Sequence, residues 1–121
     1  MPKAFSDHEK ETIRRQLRAA GQEFFARHGL KKTSVDDLTL AVGISKGAFY
    51  LFYSSKEELL MEILEEIEVT MQTRILDAVI REDNDDHITA RQKVRAVLTH
   101  FLLLWDEYPL LKEFGQEEYM L

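Results

Sequence analysis

The sequence predicts an all-α protein, and three observations lead to that class. Every strong hydrophobic periodicity along the 121 residues is helical, with apolar residues returning every three or four positions. Glycine and proline number only five and two, so few positions interrupt a helix. Two segments, Ser6–Glu9 and Ser55–Glu58, have the Ser-x-x-Glu pattern of a capping box at a helix start. We therefore expect a three-helix head joined by a long fourth helix to further helices.

The first helix is predicted from about Asp7 to His28. The capping box at Ser6 starts it, and Gly29 suits the left-handed backbone that often ends a helix. Its apolar residues recur at spacings of four, three and four, which places them on one face. The predicted buried face consists of Ile13, Leu17, Ala20 and Phe24.

Two short helices follow around a tight turn. Ser34 offers a side-chain oxygen to the free amides of the second helix, and Asp37 adds negative charge at the same end. Gly43 ends this helix, and Ser45 caps the third one. The residues expected to face the core are Val35, Leu38, Ala41 or Val42, Ile44, Phe49 and Phe52, with Tyr53 as a further candidate.

The fourth helix is predicted to be unusually long. A second capping box launches an apolar stripe from Leu59 to Ile75, and the helix should run to about Arg81 over about 38 Å. An acidic loop, Glu82–Asp86, comes next. A fifth helix should span Ile88 to Glu107, and a short sixth helix should start at Pro109 and end near Gly115.

The net charge of −6 is divided unevenly along the chain. Residues 1–56 carry ten Lys and Arg against six Asp and Glu, a net +4, whereas residues 57–121 carry six against sixteen, a net −10. A basic head can meet phosphate while an acidic body stays clear of it. We predict a DNA-binding domain at 1–56 and a helical regulatory domain at 57–121; merely uneven surface charge is the alternative.

Several classes of function are disfavoured. The absence of cysteine removes disulfides and cysteine-ligated zinc, and no Gly-rich phosphate loop or hydrolase motif is present. We therefore expect no enzyme, no catalytic residue, no cofactor and no metal site. No secretory pattern opens the chain, and the longest apolar run, Phe101–Trp105, is too short to span a bilayer, so a cytoplasmic protein without membrane contact is expected. The four histidines lack ligand spacing: His8, His28, His87 and His100.

The two short helices around Gly43 have the arrangement of a DNA-binding helix-turn-helix. Hydroxyl groups at helix starts attract phosphate, and residues with small side chains let the backbone approach a major groove about 12 Å wide. Lysines can pair with phosphates, and a tyrosine can contact phosphate or a thymine methyl group. The alternative is that the serines act only as caps. Predicted DNA contacts are Thr33, Ser34, Ser45, Lys46, Gly47, Ala48, Tyr50 and Lys56.

Four motifs between about Ile13 and Ile67 resemble those of one known family. They are Ala20-x3-Phe24-Phe25-x2-His28-Gly29, Thr33-Ser34-Val35-x-Asp37-Leu38, Gly43-Ile44-Ser45-Lys46-Gly47-x-Phe49-Tyr50 and Ser55-Lys56-Glu57-x-Leu59-Leu60. In these motifs the sequence resembles the TetR family of tetracycline-repressor-like regulators. The resemblance implies a homeodomain-like head, and a longer protein whose later helices complete a ligand-binding and dimerisation domain.

The same resemblance implies how such a protein works. A homodimer would place two recognition helices in successive major grooves of a palindromic double-stranded DNA operator, about 34 Å apart. A small inducer, apolar or amphipathic, would bind among helices 4 to 6 and swing helix 4, which shifts the population away from the DNA-binding spacing. A helical aromatic stripe is also typical of an ordinary core. Candidate pocket residues are Met71, His100, Phe101, Trp105 and Tyr108.

Two other functions stay open from the sequence. The first is a TetR-fold architectural or nucleoid factor that binds DNA and acts through a protein partner rather than an inducer. The second is a helical interaction module that has lost DNA binding. The module would be favoured if Lys46, Tyr50 and Lys56 were buried or paired.

Overall fold

The computed structural model describes residues 5–83 and 89–116, and every regular element within these ranges is an α-helix. The predicted all-α class is confirmed. Part of the predicted acidic loop is helical, because the fourth helix continues to Asp83; the rest of that loop lies outside the described residues. The six helices are α1 (Asp7–His28), α2 (Val35–Val42), α3 (Lys46–Phe52), α4 (Lys56–Asp83), α5 (Ala90–Glu107) and α6 (Pro109–Gln116).

The chain divides into two compact units within α4. The first unit ends at Ile63 and the second starts at Leu64. Helices α1 to α3 and the first turns of α4 therefore belong to the first unit, here called the head. The rest of α4 belongs to the second unit together with α5 and α6. The regulatory role expected for residues 57–121 stays a prediction.

Helix α1 starts and ends close to the predicted residues. The Ser6 hydroxyl accepts a hydrogen bond from the Glu9 amide at 3.1 Å, and the Glu9 carboxylate accepts one from the Ser6 amide at 3.2 Å. This reciprocal pair is the predicted capping box. Gly29 has the expected positive φ of 80°, but its ψ of 166° lies outside the left-handed helical region.

The buried side of α1 turns toward α4 at Gly21. A Cβ atom on Gly21 would lie 2.8 Å from Cδ1 of Ile63 and 3.1 Å from Cδ2 of Leu59. The missing side chain therefore permits a close crossing of the two helices. The face predicted from the sequence is wrong in its second half for this reason: the helix buries Ile13, Leu17, Gly21 and Phe25 and leaves Ala20 and Phe24 half-buried.

Helices α2 and α3 complete the core of the head. Leu38 and Phe49 are fully buried, and Tyr53 is nearly so, which confirms the predicted inward face at these positions. Thr39 is also buried, and its hydroxyl donates a hydrogen bond to the Asp36 carbonyl at 3.2 Å. The other predicted core residues are less enclosed, since Val35, Val42, Ile44 and Phe52 are half-buried and Ala41 is exposed.

Tyr53 links the end of α3 to α4. Its phenol donates a hydrogen bond to the carboxylate of Glu62. Burial and then the Glu62 carboxylate raise the pKa of Tyr53, so the phenol stays a neutral donor. The same carboxylate lies 3.9 Å from the Arg18 guanidinium of α1. These contacts connect α1, α3 and α4 at the edge of the core.

The start of α4 uses only half of the predicted capping box. The Ser55 hydroxyl accepts from the Glu58 amide at 3.1 Å, as expected. The Glu58 carboxylate, however, accepts from the amide of Ser54 at 2.9 Å and from the Ser54 hydroxyl. The reciprocal bond therefore reaches one residue further back than the Ser-x-x-Glu pattern predicts.

The second unit is formed by α5 and α6 with the later part of α4. Thr89 and Gln92 form a capping box at the start of α5, with their two amide bonds at 2.9 and 3.2 Å. This Thr-x-x-Gln pattern places the helix start slightly later than the predicted Ile88. Arg74 of α4 forms an ion pair with Glu107 of α5. Across the described ranges, no helix combines the length and apolar character needed to cross a membrane.

Candidate nucleic-acid interface

The first short helix of the motif, α2, begins at a reciprocal capping box. The Ser34 hydroxyl accepts from the Asp37 amide at 3.0 Å, and the Asp37 carboxylate accepts from the Ser34 amide at 2.9 Å. The Ser34 amide and then its hydroxyl hold the pKa of the Asp37 carboxyl below its usual range. Asp37 therefore stays ionised, and its negative charge lies at the positive end of α2.

Gly43 makes the turn between α2 and α3. Its φ of 83° and ψ of 33° place it in the left-handed region, which glycine adopts without steric cost. The amides of Gly43 and Ile44 both donate to the Thr39 carbonyl, at 2.8 and 3.1 Å. Ser45 then caps α3 by accepting from the Ala48 amide at 3.0 Å. The turn and both helix starts have the predicted local structure.

Helix α3 has one buried side and one exposed side. Phe49 points into the core, whereas Lys46, Gly47 and Tyr50 are exposed on the other side. We call these three residues the α3 outer face. Tyr50 keeps 49% of its surface exposed. A Cβ atom on Gly47 would meet nothing closer than the Ser45 hydroxyl at 3.9 Å, so the backbone is open to an approaching partner.

Lys46 forms a loose ion pair with Asp36 of α2. The Lys46 ammonium lies 3.8 Å from the Asp36 carboxylate, and the side chains are 57% and 73% exposed. Exposed pairs of this kind contribute about 0–1 kcal/mol to stability. The pair therefore leaves Lys46 accessible to another anion.

Lys56 lies at the start of α4 and bonds to the turn that precedes α2. Its ammonium donates hydrogen bonds to the Leu30 carbonyl at 2.7 Å and to the Thr33 carbonyl at 2.9 Å. The side chain is half-buried in this position. The bonds fix α4 to the loop between α1 and α2. Lys46 and Lys56 are therefore paired while Tyr50 is exposed, so the condition that would favour an interaction module is met in part. The predicted contact of Lys56 with phosphate stays a prediction.

Thr33 differs from its expected role. Its side chain is fully buried, and its hydroxyl donates to the carbonyls of Gly29 at 2.8 Å and Phe24 at 3.3 Å. Gly29 follows the last residue of α1, so its carbonyl has no partner within the helix, and Thr33 supplies the donor. The hydroxyl is therefore not on the surface where a phosphate could reach it, whereas Ser34 next to it is exposed.

Comparison with known proteins decides the family. Residues 17–63 match the family model described as "Bacterial regulatory proteins, tetR family". This segment contains the buried strip of α1 from Leu17, both helices of the motif and the start of α4. Residues 17–63 form a TetR-family domain. The family resemblance predicted from the sequence is confirmed for this segment.

Relatives of the TetR-family head occur among named regulators. The chain is 38% identical over 81 residues to the uncharacterised HTH-type transcriptional regulator YuxN of Bacillus subtilis strain 168, covering 67% of this chain and 27% of YuxN. It is 27% identical over 96 residues to the fatty acid metabolism regulator protein of the same organism, covering 78% and 47%. It is 31% identical over 61 residues to the nucleoid occlusion factor SlmA of Glaesserella parasuis, covering 50% and 30%. The chain thus spans less than half the length of these three relatives.

Solved structures show the same fold. A TetR-family transcriptional regulator from Haemophilus influenzae RD aligns with a TM-score of 0.61 and 21% identity, over 92% of this chain and 57% of that one. A TetR-like transcriptional regulator from Rhodococcus sp. RHA1 aligns with a TM-score of 0.62 and 24% identity, over 89% and 57%. At these identities the likeness concerns the fold alone.

The five ligand-pocket candidates lie in the second unit. Phe101 and Trp105 are one turn apart on α5, with ring centroids 6.4 Å apart. The His100 ring nitrogen Nδ1 lies 3.0 Å from the Ala96 carbonyl, so this side chain is turned along its own helix. Phe101 is exposed, whereas the other four candidates, Met71, His100, Trp105 and Tyr108, are half-buried. Their role in ligand binding stays a prediction.

The structure contains a groove on the head that the sequence did not predict. It has a volume of about 540 Å³ and lies between the start of α1 and the end of α3. The Arg14 guanidinium carbon lies 5.9 Å from the centroid of the Phe52 ring. The centroid of the Phe5 ring lies 6.1 Å from the same Phe52 centroid. Phe5 precedes α1 without any periodic pattern, so its contact with α3 left no signal in the sequence. The groove is lined by Phe5, Asp7, Lys10, Glu11, Arg14, Leu51 and Phe52.

The burial of Thr33 yields a stability prediction. Thr33→Val keeps the shape of the side chain but leaves the buried Gly29 carbonyl without this donor. We expect the unfolding free energy to fall by about 1–3 kcal/mol, measured by chemical denaturation. Thr33→Ser, which keeps the hydroxyl, serves as the control and should lose less. Equal stability of Thr33→Val and the wild type would contradict a structural role for the hydroxyl.

Proposed function

We propose that this chain carries the DNA-binding head of a TetR-family transcriptional repressor that occupies a palindromic operator. The observation that supports it most directly is the two-sided character of α3. Phe49 anchors the helix in the core, and the opposite side presents Lys46, an open backbone at Gly47 and the Tyr50 ring to solvent. A helix held in this way can enter a major groove without unfolding the head. We assign the chain no catalytic role.

The predicted contacts fall into two groups, those that bind phosphate and those that face the bases in the groove. Lys46 supplies a cation for phosphate oxygens, and Ser34 presents a hydroxyl at the start of α2. Gly47 and Ala48 permit close approach of the backbone to the groove, and Tyr50 reaches a base edge, a thymine methyl group or a phosphate. Ser45 acts first as the cap of α3, through its bond to the Ala48 amide. Phosphate contacts position the head, and the outer face of α3 supplies sequence preference.

The family resemblance supports a homodimer and a small-molecule inducer. Two heads bound to one palindrome would place their α3 helices about 34 Å apart. Helix α4 contributes residues to both units, so an inducer bound among α4, α5 and α6 can act on the head through this helix. Helix α5 leaves the apolar residues Val94, Leu98 and Leu102 exposed, which suits contact with a second copy or with another helical segment.

The proposal is tested by DNA selection followed by titration. The chain is first used to select bound fragments from a genomic library, and the enriched duplex is then titrated at several salt concentrations. We expect a palindromic site, with the logarithm of the affinity falling linearly with the logarithm of the salt concentration. A scrambled duplex of the same composition is the control. If no duplex binds in a salt-dependent way, the head does not bind DNA and the helical interaction module is the better description.

A second candidate function keeps DNA binding but removes the inducer. The similarity to the nucleoid occlusion factor SlmA favours it, since that relative is 31% identical to this chain over 61 residues. A library of apolar and amphipathic small molecules distinguishes the two functions. Release of the selected duplex by one such compound supports an inducible repressor, whereas release only by a protein partner supports an architectural factor.

Lys56 provides a quantitative prediction for the phosphate contacts. Lys56→Ala should weaken binding to all duplexes alike and reduce the magnitude of the salt slope by about one. It should also lower the unfolding free energy by about 1–2 kcal/mol, because the variant loses the charged donor to the Leu30 and Thr33 carbonyls. Parallel binding titrations and denaturation curves measure the two effects.

Lys112→Ala is the matched control for charge. It removes the same positive charge from the second unit, where Lys112 pairs with Asp106 at 2.8 Å. We expect its salt slope to equal that of the wild type. A Lys56→Ala slope that also equals the wild-type slope would remove Lys56 from the phosphate contacts and leave it only its structural bonds.

A further inference from the structure

We propose that Asp36 determines specificity on the α3 outer face: its carboxylate competes with the phosphates of arbitrary DNA for Lys46, and in the cognate site it accepts a hydrogen bond from a cytosine amino group. The inference rests on the proposed DNA-binding function. It adds a residue that the sequence-based contact set does not include.

The position of Asp36 follows from its place on α2. It lies in the first turn of that helix, and its carboxylate reaches the Lys46 ammonium at 3.8 Å across the turn at Gly43. The side chain of Asp36 is 73% exposed, so the carboxylate faces solvent beside the α3 outer face. A partner that contacts Lys46 must therefore meet the Asp36 carboxylate as well.

The local fold does not need this carboxylate. Asp37, not Asp36, closes the capping box with Ser34. Asp36 contributes to helix α2 through its backbone carbonyl, which accepts from the Thr39 hydroxyl at 3.2 Å. An exposed ion pair at this distance adds little to stability. At the positive end of α2 the Asp36 charge stabilises the helix by a small amount, and the same exposed charge repels an incoming anion.

The carboxylate acts in two ways on DNA. When the head meets an arbitrary duplex, Lys46 must leave Asp36 to pair with phosphate, and the freed carboxylate then lies next to the negatively charged backbone. Both effects weaken binding that depends only on charge. In the major groove, by contrast, an Asp carboxylate can accept from the N4 amino group of cytosine. In a cognate site, a cytosine opposite Asp36 donates a hydrogen bond to the carboxylate and offsets the repulsion between the carboxylate and the DNA backbone. Lys46 then remains free to bind phosphate.

The test compares two substitutions that each remove one negative charge. Asp36→Asn acts on the α3 outer face. Glu23→Gln is the matched control, because Glu23 forms an exposed ion pair with Arg27 at 3.2 Å on α1. For each variant and the wild type, binding is measured on the selected operator and on a scrambled duplex over a range of salt. A second selection from a randomised duplex library records the base preference at each position.

We expect Asp36→Asn to bind the scrambled duplex about three to ten times more tightly than Glu23→Gln does. Its salt slope should be steeper by up to about 0.9, because Lys46 no longer divides its charge between Asp36 and phosphate. The ratio of operator to scrambled affinity should fall about tenfold, and one cytosine preference in each half-site should disappear. Circular dichroism should show unchanged folding.

Two outcomes overturn the inference, and they are distinguishable. If the wild type binds the operator but Asp36→Asn and Glu23→Gln behave alike, Asp36 has no specific role while the proposed function stands. If the wild type shows no salt-dependent binding to any duplex, the proposed function fails and the inference fails with it.

Discussion

Phe49→Ala should lower the unfolding free energy of the head by about 3–5 kcal/mol. Phe49 is completely buried at the centre of α3, and the centroid of its ring lies 5.7 Å from that of the Tyr53 ring. Removing the ring leaves a cavity that the short, seven-residue helix cannot close by itself. Small domains have total stabilities of about 5–15 kcal/mol, so a large fraction of the head's stability would be lost. Urea denaturation followed by circular dichroism measures the change.

Leu51→Ala is the matched control for Phe49→Ala. It also shortens an apolar side chain of α3, but Leu51 is 70% exposed. Surface substitutions of this kind change stability by about 0.5 kcal/mol or less. A Phe49→Ala head as stable as Leu51→Ala would show that α3 is not anchored through Phe49. The two-sided description of the recognition helix would then be wrong.

Tyr50→Ala should reduce operator affinity by about 1–3 kcal/mol if the ring contacts base edges. Tyr50 adjoins Phe49 in sequence but lies on the exposed side, and its ring meets the Phe49 ring edge-on with centroids 5.4 Å apart. Loss of that ring contact should cost about 0.5–1.5 kcal/mol of stability, which leaves the head folded. Titration of the selected operator at constant salt measures the loss of binding.

Tyr50→Phe separates the two parts of the tyrosine side chain. It keeps the ring for contact with a thymine methyl group and removes the hydroxyl that can donate to a phosphate. Loss of affinity in both variants assigns the contact to the hydroxyl, whereas loss in Tyr50→Ala alone assigns it to the ring. If Tyr50→Ala binds the operator as tightly as the wild type, Tyr50 is not part of the DNA-contacting set.

Local features of the head could be predicted because local chemistry determines them. The capping box at Ser6, the capping serines Ser34 and Ser45, and the left-handed Gly43 each depend on residues within about four positions. Helical periodicity likewise located the six helices, with the largest deviations at the end of α4 and the start of α5. For the same reason the α3 outer face could be identified from spacing alone.

Features that depend on distant residues could not be predicted in this way. The choice of Gly21 over Ala20 on the buried side of α1 depends on how closely α4 approaches. Thr33 looked like a surface hydroxyl because nothing nearby in the sequence shows that the end of α1 needs a donor. The ion pair between Asp36 and Lys46 joins two helices across a turn, so residue spacing did not place Asp36 beside the predicted contacts.

The two hydrogen bonds from Lys56 have a mechanical consequence. They join residues 26 and 23 positions apart and tie the first residue of α4 to the segment from which α2 begins. A movement of α4 at this end must therefore move α3 as well, because α2 and α3 share one core with that segment. Under the proposed function, an inducer would then reorient the head as an intact unit. The free energy required for release would not include the free energy of unfolding the head.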